Sequence, residues 1–323
     1  MKTLEQSAGE PRANLSGIAR GADLTVADLV DEYMLAYCGR DTTRATRLAW
    51  WRERLGAMRL SDVSDDDVYF AMESLAQQRG RYYAGRDAEG RPILKAKARP
   101  IAPATLNRYQ AAASALFSWA IRTRRAPKTW DNPCRRLEMR TERNERVRFL
   151  SDDERERLLA ACRASKWDRL YLLVLMALTT GARRGELEGL RWSAIDLQRG
   201  EARLFDTKNG EPRVLVLLPA VLEELRKHSG APSSLGFASR RRPDQAYTSD
   251  PAWRAALRVA KLRDFRFHDL RHSCASYLAQ AGAGLLEIAE VLGHKQLTVT
   301  RRYSHLTTTH RRALVGRVLG DIR

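Results

Sequence analysis

Residues 180–186 read Thr180-Gly-Ala-Arg183-Arg-Gly-Glu186, and related side chains return far downstream in His268-Asp-Leu-Arg271-His272, Leu292-Gly-His294 and Arg301-Arg-Tyr303-Ser-His305. Together they supply two arginines, two histidines and a tyrosine in an order suited to attack on a phosphodiester. No single helix or hairpin joins segments so widely spaced. If these side chains act together, the fold has to bring four scattered fragments onto one phosphorus atom.

Charge points to the same kind of partner. The 323 residues carry a formal net charge of +18 at pH 7, and a strongly cationic surface makes nucleic acid the first partner to consider. The charge is uneven: residues 1–50 hold 6 basic and 7 acidic side chains, residues 101–150 hold 11 and 4, and residues 251–323 hold 13 and 5. Two separate basic clusters fit a clamp that embraces a duplex. No run approaches the ~18 apolar residues of a membrane span, and the start, Met-Lys-Thr-Leu-Glu-Gln, has no apolar signal core, so the expected location is cytoplasmic, with the nucleoid. Four scattered cysteines, Cys38, Cys134, Cys162 and Cys274, form no Cys-x-x-Cys pair. That spacing argues against a disulfide framework and against a zinc cluster.

A chain of this length predicts about two domains. Residues 1–22 lack periodicity and are expected to form a flexible tail. A helical domain is expected over 23–126. Its first helix begins near Thr25 with Leu29, Tyr33, Met34 and Tyr37 at helical spacing, a second covers about 42–55, and a third opens at Ser64 before Asp65-Asp66-Asp67. A fourth, about 103–124, carries an apolar stripe of Ala112, Leu116, Ala120 and Ile121, with Asn107, Arg108 and Gln110 on its polar side. Residues 80–100 read either as an inserted hairpin or as a mobile loop near DNA. Residues 127–148, with two prolines and seven Lys/Arg, read as a linker.

The second domain, 149–323, opens at the capping-box pattern Ser151-Asp-Asp-Glu154. Short runs at 194–197, 202–206 and 214–218, separated by Gln198-Arg-Gly200 and Lys208-Asn-Gly210, predict a small antiparallel sheet. Helices dominate the remainder. No repeat is visible.

The four polar fragments resemble the catalytic signature of the tyrosine recombinases, the phage integrase family. The resemblance is strong over the C-terminal half and extends to the N-terminal half in outline. It implies a mainly α fold with a small antiparallel β-sheet, built as a two-domain DNA clamp: a helical, SAM-like core-binding domain and a mixed α/β catalytic domain. It further implies a site-specific recombinase or integrase that cuts and rejoins double-stranded DNA through a 3′-phosphotyrosine at Tyr303. A homotetramer on DNA is the implied synaptic complex, and accessory DNA-bending proteins are a partner class the resemblance admits. Close alternatives are a recombinase that resolves chromosome dimers and a tyrosine-type topoisomerase. A non-catalytic DNA-binding regulator is the alternative of another class, but it has no reason to keep these side chains together. The segment before Thr25 is too short for the family's separate arm-binding domain, which weakens the two-site mode of integration.

Matched to the family pattern, Arg183 and Arg271 are the phosphate clamps, and planar, permanently charged guanidiniums suit that work. Glu186, three residues after Arg183, can orient its guanidinium on a helix. His268 and Arg271 are likewise three apart, and the family makes His268 a proton acceptor or phosphate contact and His272 a packing residue. A metal pair of His268 and His272 at i, i+4 is the rival reading, but no further ligand lies nearby and Arg271 would repel a cation. Gly293 can end a helix over 285–292 and place His294 in a turn facing a phosphate oxygen. Tyr303 is the nucleophile. Its phenol, with pKa about 10, needs positive charge or a base, for which Arg183, Arg271 and His268 are the evident sources. Lys208 at a hairpin turn is the candidate acid for the leaving 5′ oxygen. Arg184 reads as a surface charge or a DNA-backbone contact, and Arg301 and Arg302 join Asn107 and Arg108 as expected DNA contacts. Tyr33, Tyr37 and Tyr171 read as core. Leu314, Val315, Val318 and Leu319 form an apolar face that could dock on a neighbouring copy or within the chain. No Gly-x-x-x-x-Gly-Lys-[Ser/Thr] loop or carboxylate cluster is present, so neither ATP, a metal nor any other cofactor is expected.

Overall fold

The structure, a computed structural model, describes residues 24–142, 146, 148–205, 212–239 and 245–307. Lys208 and the apolar face from Leu314 to Leu319 lie outside them. The chain divides into two compact units, Met1–Asn144 and Glu145–Arg323.

The first unit packs four helices, α1 (Val26–Leu35), α2 (Arg44–Leu55), α3 (Asp65–Ala76) and α4 (Pro103–Arg122), around Leu29, Leu48, Trp51, Leu75, Leu116 and Phe117. Local signals start three of them where the sequence predicts. Thr25 and Ser64 each close a capping box with an aspartate at the third helical position, and Pro103 opens α4, where its missing N–H is no loss. Tyr33 is buried and Tyr37 packs partly buried against the same core. Between α3 and α4, the segment 80–100 is the hairpin of the two alternatives: β1 (Arg79–Arg86) pairs antiparallel with β2 (Pro92–Pro100).

The Pro- and Arg-rich stretch read as a linker is laid against this unit over much of its length. Buried Asn132 donates to the Ser114 carbonyl and the Ser118 hydroxyl, Cys134 is buried, and Arg140 pairs with Glu73 at 2.6 Å. Asn107, expected to touch DNA, requires a correction. Its side chain is 7% exposed and its amide donates to the Arg140 carbonyl and Glu142 while accepting from the Arg140 N–H. A buried amide satisfied in this way pins backbone and has nothing left for a base edge. Arg108 remains exposed on the same helix.

The second unit is also mainly helical. It comprises α5 (Asp152–Arg163), α6 (Leu170–Thr180), α7 (Arg184–Glu188), a three-stranded antiparallel sheet β3 (Ile195–Asp196), β4 (Glu201–Leu204) and β5 (Arg213–Val216), then α8 (Pro219–Lys227), α9 (Asp250–Val259), α10 (Asp269–Gln280), α11 (Leu285–Leu292) and the single turn α12 (Leu297–Thr300). A 3₁₀ segment, Arg301–Thr307, follows. Helix α6 is apolar on all sides because it is buried on all sides, and Tyr171 is among its buried residues. The predicted capping box of Ser151 with Glu154 starts α5. The described residues hold no helix long and apolar enough to cross a membrane.

Candidate active site

Two left-handed glycines shape the site. Gly181 ends α6 at φ +62°, and a Cβ there would lie 2.4 Å from Leu292 Cδ2. Gly293 ends α11 at φ +66°, as its sequence position predicts, and a Cβ would lie 2.8 Å from Arg213. Only glycine meets both the backbone angle and the close approach.

Arg183 stands at the N-cap of α7, just past Gly181. Its backbone N–H donates to Glu186 Oε2 at 2.9 Å and its Nη1 to Oε1 at 2.7 Å, so Glu186 orients the guanidinium. The other partner of Glu186 is Arg213, whose Nη2 lies 3.2 Å from Oε2. Burial works to raise the Glu186 pKa, but hydrogen bonds from Arg183 and the nearby Arg213 charge outweigh it and hold the carboxyl below its ordinary value. Arg213 also donates from Nη1 to the Val291 carbonyl at 3.1 Å, near the end of α11 and beside the Gly293 turn.

Arg271, on α10, is 3% exposed and donates from Nη1 to the Gly181 carbonyl at 2.6 Å. Among the described residues its Nη2 is buried without a hydrogen-bond partner. Burial, then the charges of Arg183 and Arg213, lower its pKa to about 10. A buried, permanently cationic donor left unpaired among other guanidiniums is a ready anion site.

The nucleophile expected from sequence is buried. Tyr303 is 1% exposed, packed in a cluster with Cys274, Ala275, Ala279, Ile288 and Leu292. Its hydroxyl lies 2.5 Å from Nδ1 of His272. Burial pushes the phenol up to about 12 against the opposing charges of Arg302 and Arg271. Burial and neighbouring His268 push His272 down to about 4, so at neutral pH the pair is an uncharged phenol against an uncharged imidazole. In the free protein desolvation outweighs the neighbouring positive charge on the phenol.

His268 caps α10, with its ring centroid 5.1 Å from that of His272. Burial and then Arg271 lower its pKa. His294 lies in the turn after Gly293, its Nδ1 2.9 Å from the Thr300 hydroxyl, and burial followed by the charges of Arg271 and Arg183 brings it to about 4.

One site residue differs from its sequence reading, and another has no reading from sequence at all. His272, read as packing, is the hydrogen-bond partner of Tyr303. Arg213 was not singled out; its signal is an arginine in register with inward-facing Leu215 on β5. Arg184, read as a surface charge or a DNA contact, is a correction: it binds Glu188, Asp250 and Ser249, and its guanidinium sits 5.5 Å from the Phe267 ring centre. Arg301 is exposed, and Arg302 donates from Nε to the Val299 carbonyl. No group of three or more metal-ligating side chains occurs among the described residues.

The three lowered histidines of the site, His268, His272 and His294, give the unit an acid sensitivity with a definite sign. A histidine whose folded pKa lies below its ordinary value of about 6.5 stays neutral where the unfolded chain already binds a proton. Between about pH 6.5 and 4 the unfolded state binds more protons, so stability falls as pH drops through that window. The urea-unfolding midpoint of the full chain is expected to fall from pH 7 to pH 5, and less steeply in a His272→Gln/His294→Gln variant. A wild-type midpoint flat over that range contradicts this assignment.

A buried tyrosine faces an imidazole beside guanidiniums that, among the described residues, leave two buried donors unfilled, Nη2 of Arg271 and Nε of Arg213, an arrangement suited to holding a phosphodiester next to a phenol. Known proteins agree. Residues 148–310 match the phage integrase family. The integrase of Salmonella phage P22 is 29% identical over 288 residues, 82% of this chain and 71% of that protein. Tyrosine recombinase XerC of Mycobacterium sp. (strain KMS) is 30% identical over 244 residues, 69% of this chain and 80% of that one. The chain spans only 41% to 60% of the lengths of several other relatives. The fold is shared with a lambda integrase tetramer bound to a Holliday junction, at a TM-score of 0.60 and 21% identity over 85% of this chain and 79% of that one. The chain belongs to the phage integrase family and is a site-specific DNA recombinase of the tyrosine type.

Proposed function

We propose that the chain cuts each DNA strand by attack of the Tyr303 oxygen on a phosphorus held by Arg183 and Arg271. The observation that carries this reading is the unpartnered Nη2 of buried Arg271, whose charge acts on Tyr303. A nonbridging phosphate oxygen would fill that vacant hydrogen bond and bring negative charge among the guanidiniums. Glu186 and Arg213 keep Arg183 and the Gly293 turn in place, and His294 donates to a second phosphate oxygen.

The bonds balance. The Tyr303 O–P bond forms, and the phenolic proton leaves toward the paired imidazoles of His272 and His268. The P–O5′ bond breaks, and Lys208 supplies the proton that makes a free 5′ hydroxyl. The 3′-phosphotyrosyl ester retains the energy of the phosphodiester, so a 5′ hydroxyl from a partner strand can reverse the step without ATP or a metal. Joining two duplexes breaks four strands. Four copies, each with its own Tyr303, therefore make up the reacting complex, and the two units of each copy close on DNA as a clamp.

The test is a duplex nicked a few nucleotides from the cleavage point, from which the small 5′-hydroxyl fragment diffuses away. Covalent protein–DNA adduct is expected to accumulate in excess chelator and without nucleotide. Adduct formation that requires a divalent metal contradicts the proposal.

A further inference from the structure

The β1–β2 ribbon contributes nothing to the buried core of the first unit. All nine residues of β2 are exposed, as are six of the eight in β1. Both acidic residues of the segment, Asp87 and Glu89, sit in the connecting turn, where Asp87 accepts the Arg91 N–H at 2.7 Å. The strands themselves carry only cations: Arg79, Arg81, Arg86, Lys95, Lys97 and Arg99. Among the described residues, Arg81, Lys95 and Lys97 have no ion-pair partner.

Register distributes these groups over both faces. Residues directly opposite each other share a face: Tyr83 is opposite Leu94 and Arg81 opposite Ala96, while Tyr82 is opposite Lys95. Each face therefore interleaves an exposed tyrosine with cations, and each keeps an aliphatic group, Leu94 on one and Ile93 on the other. An isolated two-stranded hairpin is marginal in water, and neither face is covered by the chain's own core. A second copy would set like charges together, and an apolar protein partner would strand six cations. The charge is complementary to a polyanion.

We propose that this ribbon is a second DNA-reading element, lying in the major groove of the same duplex that the recombinase cuts; the proposal rests on the recombinase reading. The major groove, ~12 Å wide, admits a two-stranded ribbon and exposes distinct base edges to it. Eight residues at ~3.3 Å each reach ~26 Å, less than the ~34 Å of one helical turn. The ribbon therefore reads one continuous block of bases within a single turn. Its cations hold phosphates on either side, while Tyr82, Tyr83, Ile93 and Leu94 meet base edges and thymine methyls.

The ends of the insertion allow a clean removal, because the Ile101 N–H donates to the Gln78 carbonyl at 3.1 Å and the two flanks already adjoin. The full chain, a variant with residues 80–99 replaced by a two-residue turn, and the Arg81→Ala/Lys95→Ala/Lys97→Ala variant are each used to select duplexes from a randomised library. Guanine N7 methylation protection is then mapped on the selected duplexes. The full chain is expected to select a block of base pairs that the trimmed variant does not, with N7 protection over that block. The triple variant should bind ~10–100-fold more weakly at physiological salt, with a salt slope shallower by ~2–3. Covalent adduct at saturating protein should stay within a few-fold in both variants. Identical motifs and N7 protection with and without the ribbon overturn the proposal, as does a changed salt slope with unchanged N7 protection, which would make the ribbon a backbone tether. Absence of adduct from the full chain would instead sink the recombinase chemistry, whatever the ribbon does.

Discussion

Replacing Tyr303 with Phe is expected to abolish covalent protein–DNA adducts on a nicked duplex while leaving DNA affinity within a few-fold of the wild type. The ring packs in a closed apolar cluster that phenylalanine fills equally well, so the fold should survive. The lost hydroxyl leaves His272 Nδ1 without its partner, at a cost of about 1–3 kcal/mol of stability. Affinity depends on many phosphate contacts and should hardly change. Gel-shift titration gives the affinity and denaturing electrophoresis the adduct. An adduct that persists in the variant moves the nucleophile elsewhere.

The second large effect is at Arg271. Removing one preorganised donor to developing oxyanion charge typically costs 10²–10³ in rate, and in the proposed reaction the Nη2 of Arg271 is such a donor. Arg271→Ala also cuts the tie to the Gly181 carbonyl that fixes the α6–α7 turn, so it confounds chemistry with stability. Arg271→Lys separates the two. It keeps the positive charge but lacks the planar fork that serves Gly181 and the phosphate together. Single-turnover cleavage by Arg271→Lys is expected to fall at least ~100-fold with duplex binding retained. Cleavage within a few-fold of wild type would remove Arg271 from the phosphate.

Much of this was legible in the sequence, for local reasons. Capping boxes at Thr25, Ser64 and Ser151 act within four residues, and Gly293 ends α11 by a backbone angle that its own identity announces. The antiparallel sheet follows from alternation and turn residues. What stayed hidden depends on contacts between distant residues. Arg184 looks like a surface charge until α9 delivers Asp250, sixty-six positions away. Asn107 looks like a polar helix face until the 137–142 segment folds over it. His272 looks like packing until Tyr303 arrives from thirty-one residues downstream. The burial that raises the Tyr303 pKa is likewise a property of the assembled unit, which residue spacing does not encode. Lys208 and the apolar face beyond Leu314 fall outside the described residues.

The uncharged resting pair of Tyr303 and His272 has a mechanistic consequence within this reading. In the proposed reaction the free protein would hold the attacking phenol protonated and out of solvent, which would protect it from nonproductive chemistry until DNA is bound. Engagement of the scissile phosphate would then supply the rearrangement of charge that the free site lacks.

The central claim is that the Tyr303 oxygen becomes bonded to the scissile phosphorus. It is tested most directly by trapping the adduct on a nicked duplex, digesting with trypsin and nuclease, and sequencing the nucleotide-bearing peptide by mass spectrometry. The account predicts a single modified peptide beginning at Tyr303, after cleavage at Arg302, with the nucleotide attached through its 3′ phosphate to the phenolic oxygen. A nucleotide found on another residue, or attached through a 5′ phosphate, would contradict it.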